Sequence, residues 1–177
     1  MRQLKLLSIL AGAVLAAAAA ARAAEPAKPL TAKADVKDAE GKSVGEVSLE
    51  ETPHGVLVSA DFKGLPAGVH AMHIHEAGKC EPPFKSAGGH FNPGAKEHGM
   101  KNAKGMHAGD LPNIEVPADG ALKVQALVQD VTLGAGAKSL FGKNGTSIVL
   151  HAGVDDYATN PAGNAGDRIA CGVIEKK

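Results

Sequence analysis

The segment GVHAMHIHEAGKC, residues 68–80, decides how the chain is read. In an extended strand, side chains two apart share a face, so Met72 and Ile74 point one way and His73 and His75 the other. The apolar face belongs against a core, which leaves the imidazoles on that core's outer side. The same alternation recurs in SIVLHA, residues 147–152, where Ile148 and Leu150 oppose Val149 and His151. Two separate strands thus present histidines on the outside of a β core. The chain has eight histidines and two cysteines, and residues 68–80 hold three of the first and one of the second. Metal binding, catalysis and plain structural use compete to explain that concentration. An HxH pair alone is weak evidence for metal, because a histidine near a strand is more often hydrogen-bonded structure.

Period-two alternation extends over most of the chain and points to an all-β fold. Eight segments read as strands: residues 30–39, 43–52, 55–64, 69–75, 113–118, 121–130, 146–152 and 168–175. Asp119 with Gly120, flanked by two of them, predicts a hairpin turn, and Asn144 with Gly145 marks another turn. Two long segments, 76–112 and 152–167, are rich in Gly, Pro, Asn and Asp and lack apolar periodicity. Loops of that length in a compact domain are usually disordered or functional. Their contents favour function: the first carries His90, His98, His107 and Asp110, and the second carries Asp155 and Asp156 and leads into Arg168.

The N-terminus is of another kind. Arg2 and Lys5 precede an apolar, alanine-rich run ending in Ala21-Arg22-Ala23, the pattern of a secretory signal peptide cleaved after residue 23. The run is short for a membrane span and is followed by the polar, proline-containing AEPAKPL. Residues 24–177 then form one exported domain, in the periplasm or outside the cell, with no membrane association. Cleavage removes three cations and no acid, leaving 16 basic against 19 acidic side chains, a charge of −3. That balance gives no reason to expect nucleic acid, which calls for a basic surface. In an oxidising compartment the two cysteines, Cys80 and Cys171, are expected to pair.

His73, His75, His90, His98, His107, His151 and Asp110 together supply six imidazoles and a carboxylate, too many metal-ligand types for incidental use. The motifs GVHAMHIHE, SAGGHFNP, KEHG, HAGDLPN, VLHAGVDD and GNAGDRIACGVI, in this order, resemble the copper/zinc superoxide dismutases. The likeness covers nearly the whole of the exported chain and is weakest before Ser59. It implies an eight-stranded, flattened Greek-key barrel of the immunoglobulin-like β-sandwich kind, with two long functional loops. It also implies one copper and one zinc per subunit. Carried over residue by residue, His73, His75, His90 and His151 would hold copper, and His90, His98, His107 and Asp110 zinc, with His90 bridging the ions. The donor chemistry agrees with that division: four imidazoles suit tetragonal Cu(II), and three imidazoles with a carboxylate suit tetrahedral zinc. Asp155 would link His73 to His98, whereas His70 matches a histidine that bonds backbone. His54 lies outside every motif and receives no role.

The implied activity is dismutation of superoxide to oxygen and hydrogen peroxide, with His90 also carrying a proton and Arg168 attracting the anion. The segment 152–167 lacks a lysine for steering that many relatives have, and Lys79 or Lys85 is expected to substitute. Relatives occur as monomers and as homodimers. The rival reading is a non-catalytic dismutase-like module that buffers or delivers copper or zinc. Such a module can lose copper ligands or the arginine, and this chain keeps all of them.

Overall fold

The computed structural model describes residues 28–177, so the expected signal peptide lies outside the described residues. Ten short strands, one 3-10 turn at Lys85–Ala87 and no α-helix make up the described chain. The first three strands follow the alternation of their residues: β1 (Thr31–Asp38), β2 (Ser43–Thr52) and β3 (Gly55–Phe62) form an antiparallel meander. Ala32, Ala34 and Val36, then Val47 and Leu49, then Val56, Val58, Ala60 and Phe62 are all buried on one face. Each Val, Leu or Phe buried in this way stabilises the fold by about 1.5–3 kcal/mol relative to exposure.

The remaining strands are β4 (Gly68–His70), β5 (Met72–His75), β6 (Ile114–Val116), β7 (Leu122–Val128), β8 (Ser147–His151), β9 (Arg168–Val173) and β10 (Glu175–Lys176). The main sheet runs β5-β8-β9-β1-β2-β3-β7, with β10 also paired to β1, and β4-β6 forms a second, two-stranded sheet. The last long strand returns to lie beside the first, and β7 joins β3 only after the chain has visited the opposite edge. That over-the-top order is the Greek-key connection. The antiparallel sheet curls strongly into a half-barrel around one core, in which Met72, Ile74, Ile148 and Leu150 meet Val36, Leu49 and Phe62.

All eight expected segments contain strand, and two are divided. Residues 69–75 break at Ala71, whose N–H donates to the Gly153 carbonyl (2.8 Å) while its carbonyl accepts from His151 (2.9 Å). There the chain leaves β6, the partner of β4, for β8, the partner of β5. Residues 168–175 divide where Ile174 N–H turns to the Thr146 carbonyl. One expectation is corrected: Asp119 and Gly120 form a turn, but not a hairpin, because β6 pairs with β4 and β7 with β3. Gly120 instead packs against the Leu65 carbonyl, and the turn carries the chain from one sheet to the other.

Candidate metal centre

Strand β5 supplies the first two imidazoles. His73 and His75 are fully buried, yet neither joins the apolar core formed by Met72 and Ile74 on the opposite face. What buries them is the long segment 76–112, which returns along the free edge of β5. Phe91 N–H donates to the Ile74 carbonyl (2.8 Å) and Ile74 N–H donates to Gly109 (2.9 Å). His73 then lies opposite Asp110, and His75 opposite His90. On the other edge β8 places Val149 opposite His73, and a register shift after Leu150 brings His151 opposite Arg168.

Among the described residues two groups of buried ligand-type side chains result: His73, His75, His90 and His151, and His90, His98, His107 and Asp110, each with its ligand atoms within 4.8 Å of one another. In the second group the Nδ1 atoms of His90, His98 and His107 lie 2.8, 3.1 and 3.2 Å from Asp110 Oδ1, and His107 Nδ1 lies 3.4 Å from His90 Nδ1. Four donors about 2.0–2.1 Å from a tetrahedral zinc stand about 3.3 Å apart, so this cluster is a slightly contracted cage for one ion. The other carboxylate oxygen, Oδ2, accepts the N–H groups of Gly99 (2.9 Å) and His107 (3.0 Å), which aims Oδ1 at the rings.

In the first group each ring has one nitrogen fastened and one turned inward. His75 Nδ1 donates to the Gly88 carbonyl (3.0 Å), His151 Nδ1 to Gly166 (3.2 Å), and His73 Nε2 to Asp155 Oδ2 (2.8 Å). The Nε2 atoms of His75 and His151 meet at 3.5 Å. Two buried side-chain atoms among the described residues have no hydrogen-bond partner, His73 Nδ1 and His90 Nε2, and both belong to this group. An unpartnered buried polar atom costs about 1–3 kcal/mol, so both are expected to have a partner in the working protein. A cation among four imidazole nitrogens provides it, and the donor set fits copper. His90 therefore offers Nδ1 to one cluster and Nε2 to the other.

Protonation matches this use. Burial, then the neighbouring His90 and Arg168 charges, lower His75 to about 2. Burial and then His73 lower His151 to about 3. His90 falls to about 4 because its burial outweighs the opposing hydrogen bond to Asp110. For Asp110 burial acts upward but is overcome by hydrogen bonds from His107, His90 and Gly99, leaving the carboxyl well below its ordinary range. Neutral imidazoles and an ionised carboxylate are the states a metal requires.

Asp155, also buried and ionised, spans the clusters by accepting from His73 Nε2 (2.8 Å) and His98 Nε2 (2.9 Å). Arg168 is half-buried beside them, its Nη1 donating to the Phe84 carbonyl (2.6 Å) and its Nη2 to Gly88 (2.7 Å). Gly88 thus holds both an imidazole of the four-histidine cluster and the arginine. Its loop is tied down by the disulfide Cys80–Cys171, whose Cα atoms are 5.6 Å apart, and by packing of Phe84, Ala87, Val149 and the two cysteines. His70 stands apart, with its ring nitrogens on the carbonyls of His151 (2.9 Å) and Pro66 (3.0 Å). Lys79 and Lys85 are exposed. Residue types alone could not disclose the carbonyl anchors at Gly88 and Gly166.

A curled all-β sandwich whose two histidine clusters share one imidazole defines a protein built to hold two neighbouring metal ions. Residues 43–174 match the family described as copper/zinc superoxide dismutase (SODC). The curated relative "Superoxide dismutase [Cu-Zn] 2" of Aquifex aeolicus (strain VF5) is 50% identical over 173 residues, covering 96% of this chain and 98% of the relative. Among solved structures, a SOD-like protein from Bacillus subtilis superposes with TM-score 0.77 at 39% identity, covering 80% of this chain and 96% of that one. The Cu/Zn superoxide dismutase from Brucella abortus superposes with TM-score 0.66 at 30% identity, over 82% of this chain and 99% of that one. The chain belongs to the copper/zinc superoxide dismutase family.

Proposed function

We propose that this chain is a superoxide dismutase that converts two superoxide anions and two protons into oxygen and hydrogen peroxide. His73, His75, His90 and His151 hold one copper per subunit, and His90, His98, His107 and Asp110 hold one zinc. Bound there, copper would supply one-electron redox chemistry toward superoxide, and zinc, which has no redox chemistry, would supply fixed charge and geometry. The observation that carries this reading is the pair of unpartnered buried nitrogens, His73 Nδ1 and His90 Nε2, converging where copper would sit.

The side chains divide the remaining work. His90 Nε2, the nitrogen that would hold copper, has no hydrogen bond competing for it, so whenever it is released it would take up a proton there and deliver it to the reduced product. Asp155 holds the tautomers of His73 and His98 so that each turns Nδ1 toward its metal. Arg168, fixed by two carbonyls, presents a permanent positive charge to a small anion approaching the site. Lys85 adjoins Phe84, one of the arginine's anchors, and with Lys79 adds positive charge to a chain that is otherwise net acidic. Retention of all seven ligand-type residues and of the arginine favours turnover over a buffering or delivery role.

Residues 1–23 serve as a cleaved signal peptide, and the mature domain, residues 24–177, works in the periplasm, where a disulfide persists. Among the described residues no helix is long and apolar enough to cross a membrane. The test is superoxide decay with the copper- and zinc-loaded mature protein, using His151→Ala as control. The loaded protein accelerates decay in proportion to its copper content, and the variant loses most of that acceleration. Decay that is equally fast without copper contradicts the proposal.

A further inference from the structure

Asp155 reaches both halves of the centre, and its own placement depends on two residues with no role so far. Its N–H donates to Asn113 Oδ1 (2.9 Å) and its carbonyl accepts from Asn113 Nδ2 (2.9 Å), a reciprocal pair joining the segment 152–167 to the start of β6. Asn113 is oriented in turn by Tyr157, whose hydroxyl oxygen accepts the Asn113 N–H at 2.7 Å. Tyr157 also acts on Asp155 directly: its N–H donates to Oδ1 at 2.7 Å, the oxygen that accepts from His98 Nε2.

The same residue grips the zinc loop. The Tyr157 carbonyl accepts the Lys101 N–H (2.9 Å), and the Lys101 ammonium lies 5.4 Å from the ring centroid. The loop comes so near that a Cβ at position 99 would stand 2.1 Å from the Tyr157 carbonyl oxygen, an approach open only to glycine. Gly99 is also the residue whose N–H aims Asp110. Tyr157 makes these contacts from a backbone φ of 64°, a conformation uncommon outside glycine and kept where surrounding contacts over-determine it.

We infer that Tyr157 is a positioning residue for the zinc half of the centre, clamping the Asp155 and Gly99 supports of His98 and Asp110 through its hydroxyl, N–H and carbonyl. The inference rests on the ligand assignment proposed above. The hydroxyl is the part a substitution can remove alone: Tyr157→Phe keeps the ring and backbone and leaves the Asn113 N–H without its acceptor.

Zinc affinity is the readout, measured by competition against a chromophoric chelator on wild type, Tyr157→Phe and Val58→Ala. Val58 is buried in β3, outside the centre, so its truncation lowers stability without touching the clamp. Tyr157→Phe raises the zinc dissociation constant about 10-fold, the low end of what loss of an orienting partner brings. It also speeds hydrogen exchange at the Asn113 amide. Val58→Ala lowers the thermal midpoint but leaves zinc affinity within about twofold of wild type, as expected for a change remote from the centre. Wild-type affinity in Tyr157→Phe, or an equal loss in Val58→Ala, overturns the inference while leaving the ligand assignment intact. A wild type that takes up no zinc overturns both.

Discussion

His90 shows how much one residue carries. Both its ring nitrogens face ligand clusters, so it cannot be replaced by a residue with a single donor atom without severing one half from the other. The buried imidazoles also set the acid response of the metal-free protein. His75, His90 and His151 sit at about 2, 4 and 3 in the folded state, below their ordinary 6.5. In that window the unfolded chain binds protons that the folded chain refuses, so stability rises with pH and is lost as pH falls. The metal-free protein loses stability from about pH 6.5 down to about 4, each of the three contributing about 1.4 kcal/mol per pH unit. Denaturant unfolding at several pH values measures this, and a flat profile contradicts it. In the proposed function Arg168 acts through its charge, not as a ligand. Arg168→Ala lowers the second-order rate with superoxide about 10-fold and weakens its salt dependence, while copper content stays unchanged. Pulse radiolysis across ionic strengths is the check, and an unchanged rate contradicts the steering role.

At the scale of elements, the alternation in β5 and β8 was fully readable, because side-chain direction in a strand follows from period two and needs no distant contact. Met72 and Ile74 fall into the core and His73 and His75 outside it, as their order in the chain dictates. The division at Ala71 was not readable, since it depends on hydrogen bonds to Gly153 and His151, about eighty residues away. The Asp119–Gly120 turn failed as a hairpin for a similar reason: local turn chemistry is the same whether the flanking strands pair with each other or with strands elsewhere. Gly88 is the sharpest case, because a carbonyl that anchors both His75 and Arg168 belongs to the backbone and has no letter in the sequence. The disulfide holding that loop closes a span of 91 residues, worth about 4–5 kcal/mol on the chain-entropy account. Cys80→Ser therefore lowers the thermal midpoint and speeds metal loss to a chelator, while activity per bound copper changes little. An unchanged midpoint contradicts this.

For the whole molecule, the curled sheet provides a rigid wall and the two long segments provide its roof, so the ligands come from elements far apart in sequence. The all-β class, the family and the residues that gather into the two clusters were all legible beforehand, the last because histidine and aspartate name their own chemistry. Of their supports, Asp155 was legible through the resemblance, whereas Asn113 and Tyr157 were not, because hydrogen bonds to backbone leave no compositional trace. At the N-terminus, sequencing of the exported protein is expected to begin at Ala24, and a retained leader contradicts the signal-peptide reading. The central claim is that His90 is shared by two adjacent, chemically different ions. Anomalous X-ray diffraction of the loaded protein, collected on either side of the copper and zinc absorption edges, tests it most directly. The account predicts a copper peak beside His90 Nε2 and a zinc peak beside His90 Nδ1; a single peak, or two peaks of which either lies away from that ring, contradicts it.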